Sequence, residues 1–169
     1  MDFVPVSPNV LRALQKDGGR WAARFTEKNV SIQEAPEGLQ LDGPPGDVWA
    51  AKQVLSAMNL GFAPQKAFKL FNDTFFIEVL DLKLLVKNEK AIARLKGRVI
   101  GEQGSAKRTL EELSGASLAV SETEIGILGE FEDLADAKEA VLRLLEGSTH
   151  SGVFAFLEKR NRQKRLNLR

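Results

Sequence analysis

The alternation of apolar and polar residues divides the second half of the chain into three strands and three helices. An aromatic and β-branched run, DTFFIEVLDL from Asp73, predicts a first strand. Asn88 can cap a helix over 89–96, and a second helix from about Ser105 ends at a Ser-Gly pair. Two strand patterns and a third helix follow, in SLAVS, EIGILGE and residues 133–146. The predicted order is β-α-α-β-β-α.

The first half of the chain repeats this pattern. The stretch LDGPPGDVWAAKQVLSAMNLG, from Leu41, aligns without gaps on ILGEFEDLADAKEAVLRLLEG, from Ile127, at a shift of 86 residues. Upstream, the first copy begins with the strand DFVPV, after which Ser7 and Pro8 are typical of a helix N terminus. The sequence therefore predicts a duplication of one α+β unit.

Two further segments lie outside the repeat. The residues GFAPQKAFKLFN, from Gly61, are too apolar for a free linker, and we expect this segment to pack the two modules together. The end of the chain predicts one more helix, apolar first and basic later. We divide the chain into a first module (1–60), a helical linker (61–72), a second module (73–147) and a C-terminal basic helix and tail (148–169).

Charge is unevenly distributed, although the net charge is only +1. Residues 87–108 carry seven Lys or Arg against two Glu, a net of +5, whereas residues 109–147 carry ten acids against two bases, a net of −8. The last twelve residues, from Glu158, have six bases and one acid, a net of +5. An acidic surface beside a basic one suits a protein that meets a polyanion on one side.

Composition excludes several classes of site. The chain has no cysteine, which excludes disulfides, thiolate catalysis and cysteine-ligated zinc, and its one histidine leaves little scope for imidazole catalysis. No apolar run reaches a membrane span, and MDFVPVSPNV does not have the pattern of a signal peptide. We expect a cytoplasmic protein that is not an enzyme. We also expect it to bind no cofactor, metal ion or small-molecule substrate and not to associate with a membrane.

The segment GRVIGEQGSAKR, from Gly97, contains two glycines three residues apart, at Gly101 and Gly104. Glycine within regular structure costs roughly 0.5–1 kcal/mol relative to alanine, so the pair should meet a requirement of the backbone. A turn with this spacing bends sharply and presents main-chain amides at the start of the next helix. In a basic neighbourhood, the expected ligand is a phosphate.

This arrangement resembles a type I KH domain, in which a GxxG loop clamps about four single-stranded nucleotides beside an apolar groove. The resemblance implies a phosphate clamp at Gly101, Glu102, Gln103 and Gly104, charge neutralisation by Arg98, Lys107 and Arg108, and groove walls at Val99, Ile100, Leu118 and Val120. Val99, Ile100 and Leu118 have core packing as their alternative. Lys107 and Arg108 could instead form a solvated helix face. Glu102 departs from the basic residue often found in such loops.

The corresponding stretch of the first copy, RALQKDGGRWAARF from Arg12, lacks the first glycine. A shift of 86 matches Arg12 to Arg98 and places the loop at 15–18, whereas a shift of 85 places it at 16–19. The sequence does not decide between these registers. Arg20, Arg24 and Lys28 fall on one helix face and, with Lys16 and Arg12, could meet phosphates, with a solvated face as the alternative. The fold class is thus two tandem type I KH domains, the first degenerate.

The motifs GFAPQKAFKLFNDTFFIEVLDL, RLKGRVIGEQG, GEFEDLADAKEAVLRLLEG and HSGVFAFLEKR make the chain similar to the Dim-two, or partner of Nob-one, family of small-subunit ribosome assembly factors. The resemblance implies single-stranded RNA binding at the 3′ region of small-subunit ribosomal RNA, in ribosome maturation or translation initiation. It implies as protein partners the α subunit of initiation factor two, the rRNA dimethyladenosine transferase and the pathway endonuclease. The absence of a long acidic or lysine-rich extension favours an archaeal type. The alternative is a protein adaptor whose KH folds are docking surfaces with weak RNA binding.

Overall fold

The computed structural model describes residues 1–168 and divides into two compact units. The first unit is Met1–Phe75, and the second begins at Phe76. Each unit contains a three-stranded antiparallel sheet covered by helices, with the element order β-α-α-β-β-α. The predicted fold is therefore confirmed. Among the described residues, no helix is both long and apolar enough to cross a bilayer.

The first unit is built on a sheet with strand order β1-β3-β2. Ser7 caps the first helix by accepting a hydrogen bond from the Val10 amide, and that helix is interrupted over 16–19. The core contains Phe25, Leu41 and Leu55, which are fully buried. The elements are β1 (Asp2–Pro5), α1 (Pro8–Glu27), β2 (Ser31–Ala35), β3 (Gly38–Asp42), α2 (Pro45–Leu60) and α3 (Pro64–Ala67).

The residues predicted as a linker, 61–72, lie inside the first unit. They form α3 and a 3-10 turn, Phe68–Phe71. The Phe68 ring lies 5.1 Å from the ring of Trp21 and 4.9 Å from that of Phe25, measured between centroids. Aromatic side chains at these separations pack favourably, so the apolar character of this segment serves the core of its own unit.

The second unit has the same strand order, β4-β6-β5. Asn88 caps α4, because its side chain accepts a hydrogen bond of 2.8 Å from the Ala91 amide. In the β5–β6 ladder, Leu118 stands opposite Ile127, and both are buried. The elements are β4 (Phe75–Asp81), α4 (Glu89–Ile100), α5 (Ser105–Ser114), β5 (Ser117–Val120), β6 (Glu124–Glu130), α6 (Phe131–Leu145) and α7 (His150–Asn167).

Both alignments of the first copy on the second, at shifts of 85 and 86 residues, are correct, each for a different part of the repeated unit. A shift of 85 superposes buried residues of the first two helical segments, and a shift of 86 superposes those of the later strands and helix. The change falls between Leu110 and Ala116, where α5 ends at Ser114 and Gly115 follows with φ of 82°. The matched buried pairs are Val10 and Leu95, Leu14 and Val99, Phe25 and Leu110 at the first shift, and Leu39 and Ile125, Leu41 and Ile127, Ala51 and Ala137 at the second.

Helix α7 is held to α6 by charged groups. Arg160 Nε donates to Oδ1 of the buried Asp136 at 3.0 Å, and Lys164 Nζ lies 2.8 Å from Asp133 Oδ1 and 2.7 Å from Asp136 Oδ2. Burial opposes the charge of the ammonium, but hydrogen bonds and attraction from Asp133 and Asp136 outweigh it and raise the pKa of Lys164 above 10.5. This contribution to stability is complete below the unfolded pKa and is lost as pH rises through the raised one. Two of the cations of the basic tail are therefore structural.

We predict that Asp136→Ala lowers the free energy of unfolding by about 1–3 kcal/mol, because it removes the charged acceptor shared by Arg160 and Lys164. Glu139→Ala is the matched control on the same helix, since Glu139 forms an exposed i,i+4 pair with Arg143. It should change stability by no more than about 0.5 kcal/mol. Urea titrations of the three proteins measure the difference, and equal losses in the two variants would contradict this account of α7.

Candidate nucleic-acid interface

The turn between α4 and α5 explains its two glycines. Gly101 has φ of 72° and ψ of 179°, a combination that is essentially restricted to glycine. Gln103 and Gly104 follow with φ of 54° and 76°, in the left-handed region, and α5 starts at Ser105. Three residues of positive φ within four positions thus reverse the chain between the two helices.

Gly101 is also confined by its neighbours. A Cβ atom at this position would lie 2.6 Å from Ala106 Cβ and 2.8 Å from the Ala106 amide nitrogen. At Gly104, a Cβ would meet only the guanidinium of Arg108, at 3.5 Å. The first glycine is therefore required by conformation and by contact, and the second by conformation alone.

The loop faces solvent at the positive end of α5. Glu102, Gln103 and Ser105 are exposed, and among the described residues no side chain caps the N terminus of α5. The first amides of a helix lack intrahelical acceptors and carry partial positive charge. Arg108 adds a full charge at the same place, since its Nη1 donates to the main-chain O of Gln103 at 3.0 Å. Within the loop, the Gly104 amide donates to the Gly101 carbonyl at 3.3 Å and the Ser105 amide donates to the Glu102 carbonyl. An oxyanion resting here would therefore meet the positive end of the α5 dipole and the Arg108 guanidinium rather than these two amides.

Arg98 does not point toward the loop. Its Nε donates to the main-chain O of Leu144 at 2.8 Å, and its Nη2 donates to that of Ser148, at the C-terminal end of α6. In return, His150 Nε2 donates to the main-chain O of Arg98 at 2.7 Å, since a carbonyl can only accept. The predicted phosphate contact of Arg98 is not supported by this placement. Through these hydrogen bonds, Arg98 and His150 connect the end of α4 to the end of α6 and the start of α7.

Two of the four residues predicted to line the groove are buried in the core instead. Val99 and Leu118 belong to the core of the second unit and are 0% and 3% exposed. For these two residues the alternative of core packing is correct, because their side chains point inward from α4 and β5. Ile100 and Val120 are half-buried, so each keeps part of its side chain exposed.

An ion pair on α5, which also contacts β5, was missed by sequence reasoning. Lys107 Nζ lies 3.0 Å from Glu111 Oε1, and Glu111 Oε2 accepts a hydrogen bond of 3.1 Å from the Leu118 amide. The carboxylate therefore joins α5 to the open edge of β5, and Lys107 neutralises it. Lys96, on α4, is also engaged, since its Nζ donates to the main-chain O of Glu122 at 3.2 Å.

An exposed strip of α4 leads to the loop. Lys90, Arg94, Gly97 and Gly101 are spaced at i, i+4, i+7 and i+11, which places them on one face of the helix. Lys90, Arg94 and Gly97 are exposed, and a Cβ added to Gly97 would touch nothing within 4 Å. The helical spacing of these residues relative to Gly101 was the signal that could have identified Arg94 as a candidate.

The first unit has a related loop of different geometry. The interruption of α1 covers Lys16, Asp17, Gly18 and Gly19, so the loop corresponds to the shift of 85. Lys16, at the position of Gly101, has an ordinary extended conformation with φ of −60° and ψ of 153°. The three residues after it have positive φ. The first glycine is absent because this loop does not use the glycine-only conformation.

Cations of the first unit are mostly engaged within it. The guanidinium carbon of Arg24 lies 5.2 Å from the ring centre of Trp21 and 5.3 Å from that of Phe68, and that of Arg20 lies 5.5 Å from Trp21. Arg12, which is not the counterpart of Arg98, donates to the side chain of Asn9. Arg20 and Lys16 are exposed, so these two remain candidates.

A polar bridge occupies the groove position of the first unit. Gln15 and Glu34 correspond to Ile100 and Val120 at the two shifts, and Gln15 Nε2 donates to Glu34 Oε1. An apolar pair in the second unit is thus replaced by a bonded amide and carboxylate. This difference removes the apolar surface on which a base would rest.

Within residues 1–168, no group of three metal-binding side chains occurs.

The chain matches a known family over about half its length. A profile for the second KH domain of PNO1, described as a eukaryotic type KH-domain (KH-domain type I), matches residues 76–162. The KH domain-containing protein MJ0443 of Methanocaldococcus jannaschii is 37% identical over 92% of this chain and 66% of its own length. The pre-rRNA-processing protein pno1 of Aspergillus fumigatus is 31% identical over 80% and 54%. The chain thus spans about half to two thirds of these relatives.

Solved structures show the same fold throughout. A protein of unknown function from Aeropyrum pernix, APE0754, has a TM-score of 0.84 at 32% identity and covers 99% of this chain and 95% of its own. Dim2p from Pyrococcus horikoshii has a TM-score of 0.81 at 26% identity, over 94% and 98%. A structure of the a/eIF2alpha-aDim2p-rRNA complex from the same organism gives 0.82 at 26% identity, over 96% and 94%.

We predict a graded response to alanine at three glycines of this region. Gly101→Ala should cost on the order of 3 kcal/mol of unfolding free energy, because it adds strain and a clash with Ala106. Gly104→Ala should cost about 1 kcal/mol, for backbone strain alone. Gly97→Ala, in an open helical position, should stabilise by about 0.5–1 kcal/mol. Chemical unfolding gives the order, and a Gly101→Ala protein as stable as the Gly104→Ala protein would refute the packing argument.

Proposed function

Because the chain belongs to the PNO1/Dim2 family of KH-domain proteins, we propose that it binds single-stranded RNA and carries out no catalysis. The second unit is the RNA-binding module. Phosphates lie on the loop Gly101–Gly104, and bases lie in the groove between Ile100 and Val120.

The exposed loop at the uncapped N terminus of α5 carries this proposal. The uncapped start of α5, its helix dipole and Arg108 lie together at this loop, an arrangement that favours a phosphate. The helix and the strand beside it present the half-buried Ile100 and Val120, and Lys107 and Glu111 neutralise each other on α5. A base can rest on such a surface without leaving a buried charge unpaired.

The RNA we propose is the 3′ region of small-subunit ribosomal RNA. The names of the fungal relatives place them in pre-rRNA processing, and the Pyrococcus Dim2p has been solved with rRNA and the α subunit of initiation factor two. The same assignment makes this chain a cytoplasmic protein of ribosome maturation or translation initiation. Binding to the rRNA dimethyladenosine transferase and to the pathway endonuclease stays a prediction that rests on resemblance.

The first unit contributes little RNA affinity in this proposal. Its loop lacks the glycine-only residue, its groove is crossed by the Gln15–Glu34 bridge, and Arg24 packs on aromatic rings. We propose that this unit is mainly structural or faces a protein.

We also propose that the α subunit of initiation factor two binds this chain, as an adaptor function beside RNA binding. An apolar groove of about 600 Å³ on the second unit supports it, lined by Phe76, Leu134 and Phe131. The rings of Phe76 and Phe131 are 48% and 72% exposed. Exposed apolar patches of this kind mark surfaces that protein partners cover.

We predict that the double variant Glu102→Asp and Gln103→Asp loses RNA affinity by about 100-fold or more, because a carboxylate placed a few Å from a phosphate repels it strongly. The fold should persist, since Asp tolerates positive φ and Asp17 already does so in the first unit. Fluorescence anisotropy with a single-stranded RNA of the rRNA 3′ end gives the affinity. In the parent protein, the log–log salt dependence should have a slope of about −0.7 per phosphate contacted.

Gln65→Glu is the matched control, because it adds the same single negative charge at an exposed site of the first unit. Circular dichroism and the unfolding midpoint show whether the double variant is folded. RNA affinity that is unaltered in a folded double variant would exclude the loop as the phosphate site.

We predict that Phe131→Ser weakens binding of the initiation factor α subunit by about tenfold or more and leaves RNA affinity unchanged, because aromatic anchors dominate such interfaces. Nuclease-treated pull-downs and calorimetry with the purified subunit measure this, and the double Asp variant should retain partner binding. Equal partner affinity in the Phe131→Ser protein would remove this groove from the proposed interface.

A further inference from the structure

A second cleft lies beside the loop, on the side away from the groove. Residues two positions apart on a helix point in nearly opposite directions, so Arg98 and Ile100 separate the two sides of α4. The cleft measures about 290 Å³ and is bounded by α5, the start of α7 and the loop itself. Gly101, Glu102, Ser105, Thr109, His150 and Phe154 line it.

Two rings on α7 form a platform in this cleft. His150 and Phe154 are one helical turn apart, with ring centroids 6.0 Å apart and planes tilted by 58°. Both side chains are half-buried, so each ring packs on the protein and keeps part of its surface open. Half-exposed rings beside an RNA-binding loop are the surfaces on which single-stranded bases stack.

The polar groups of the cleft select for a base and against a phosphate. Glu102 is exposed, and its carboxylate can only accept hydrogen bonds and repels phosphate. His150 Nε2 donates to the main-chain O of Arg98, which fixes the orientation of the ring. Acceptors suit a base with an exocyclic amino group, which cytosine, adenine and guanine have and uracil lacks.

We infer that this cleft binds one additional nucleobase, an amino-bearing base that flanks the segment held in the groove. The inference rests on the proposed RNA binding, because the loop residues Gly101, Glu102 and Ser105 border the cleft and an RNA held on them continues into it. Phe154 and His150 stack the base, and Glu102 accepts its amino group. The acidic residue that weakens phosphate attraction in the loop thereby acquires a role in recognition.

The test combines abasic RNAs with a conservative variant of the full chain. A single abasic nucleotide is moved along the RNA, and affinity is measured for the parent, Phe154→Leu and Phe156→Leu proteins. Phe156 is the matched control, a half-buried ring on the same helix that packs instead on the Arg143 guanidinium at 4.0 Å. In the parent, one abasic position outside the groove-bound segment should cost about tenfold, and Phe154→Leu should abolish that cost.

A second arm tests base identity at the sensitive position. Replacing cytosine by uracil there should weaken binding to the parent about fivefold to tenfold, and Glu102→Gln should reduce that discrimination at least threefold. Groove-bound positions should respond equally in all folded variants.

The outcomes separate this inference from the function on which it rests. RNA binding with abasic sensitivity confined to the groove segment, or sensitivity that survives Phe154→Leu, overturns the second base site and leaves the proposed function intact. Failure of the parent protein to bind any single-stranded RNA overturns both.

Discussion

The contact between Gly101 and Ala106 sets the geometry of the second unit's interface. A backbone conformation open only to glycine brings the end of α4 against the first turn of α5, and no side chain fits between them. The same turn leaves the amides of α5 without a side-chain cap and allows Arg108 to reach the Gln103 carbonyl. The proposed phosphate site and the second cleft both depend on this one approach of two helices.

The two units share a core and differ at the surface where we propose that RNA binds. Buried residues of one unit match those of the other, so the cores impose the same fold. The differences lie on the surface: Lys16 in an ordinary conformation where the second unit has Gly101, and a Gln15–Glu34 bridge where it has Ile100 and Val120. Because neither change disturbs a core, the first unit keeps its fold without the features that we propose for RNA binding.

The sequence predicted element order and the second loop because both follow from local rules. Apolar periodicity located the helices and strands, and the Gly101–Gly104 spacing marked the turn. Side-chain direction was harder. The sequence predicted Arg98 as a phosphate ligand, but its side chain donates to a carbonyl at the end of α6. The sequence also does not show that Val99 is buried while its neighbour Ile100 is partly exposed. The register of the first copy stayed open because its two halves obey different shifts, separated by one extra residue at the end of α5.

The central claim is that RNA lies on the loop and groove of the second unit and not on those of the first. Residue-resolved mapping, by NMR shift changes on titration with single-stranded rRNA, tests it most directly. The account predicts the largest changes at Gly101–Ser105, Ile100 and Val120, and small ones at Lys16–Gly19. Changes centred on the loop of the first unit, with the second loop unaffected, would contradict it.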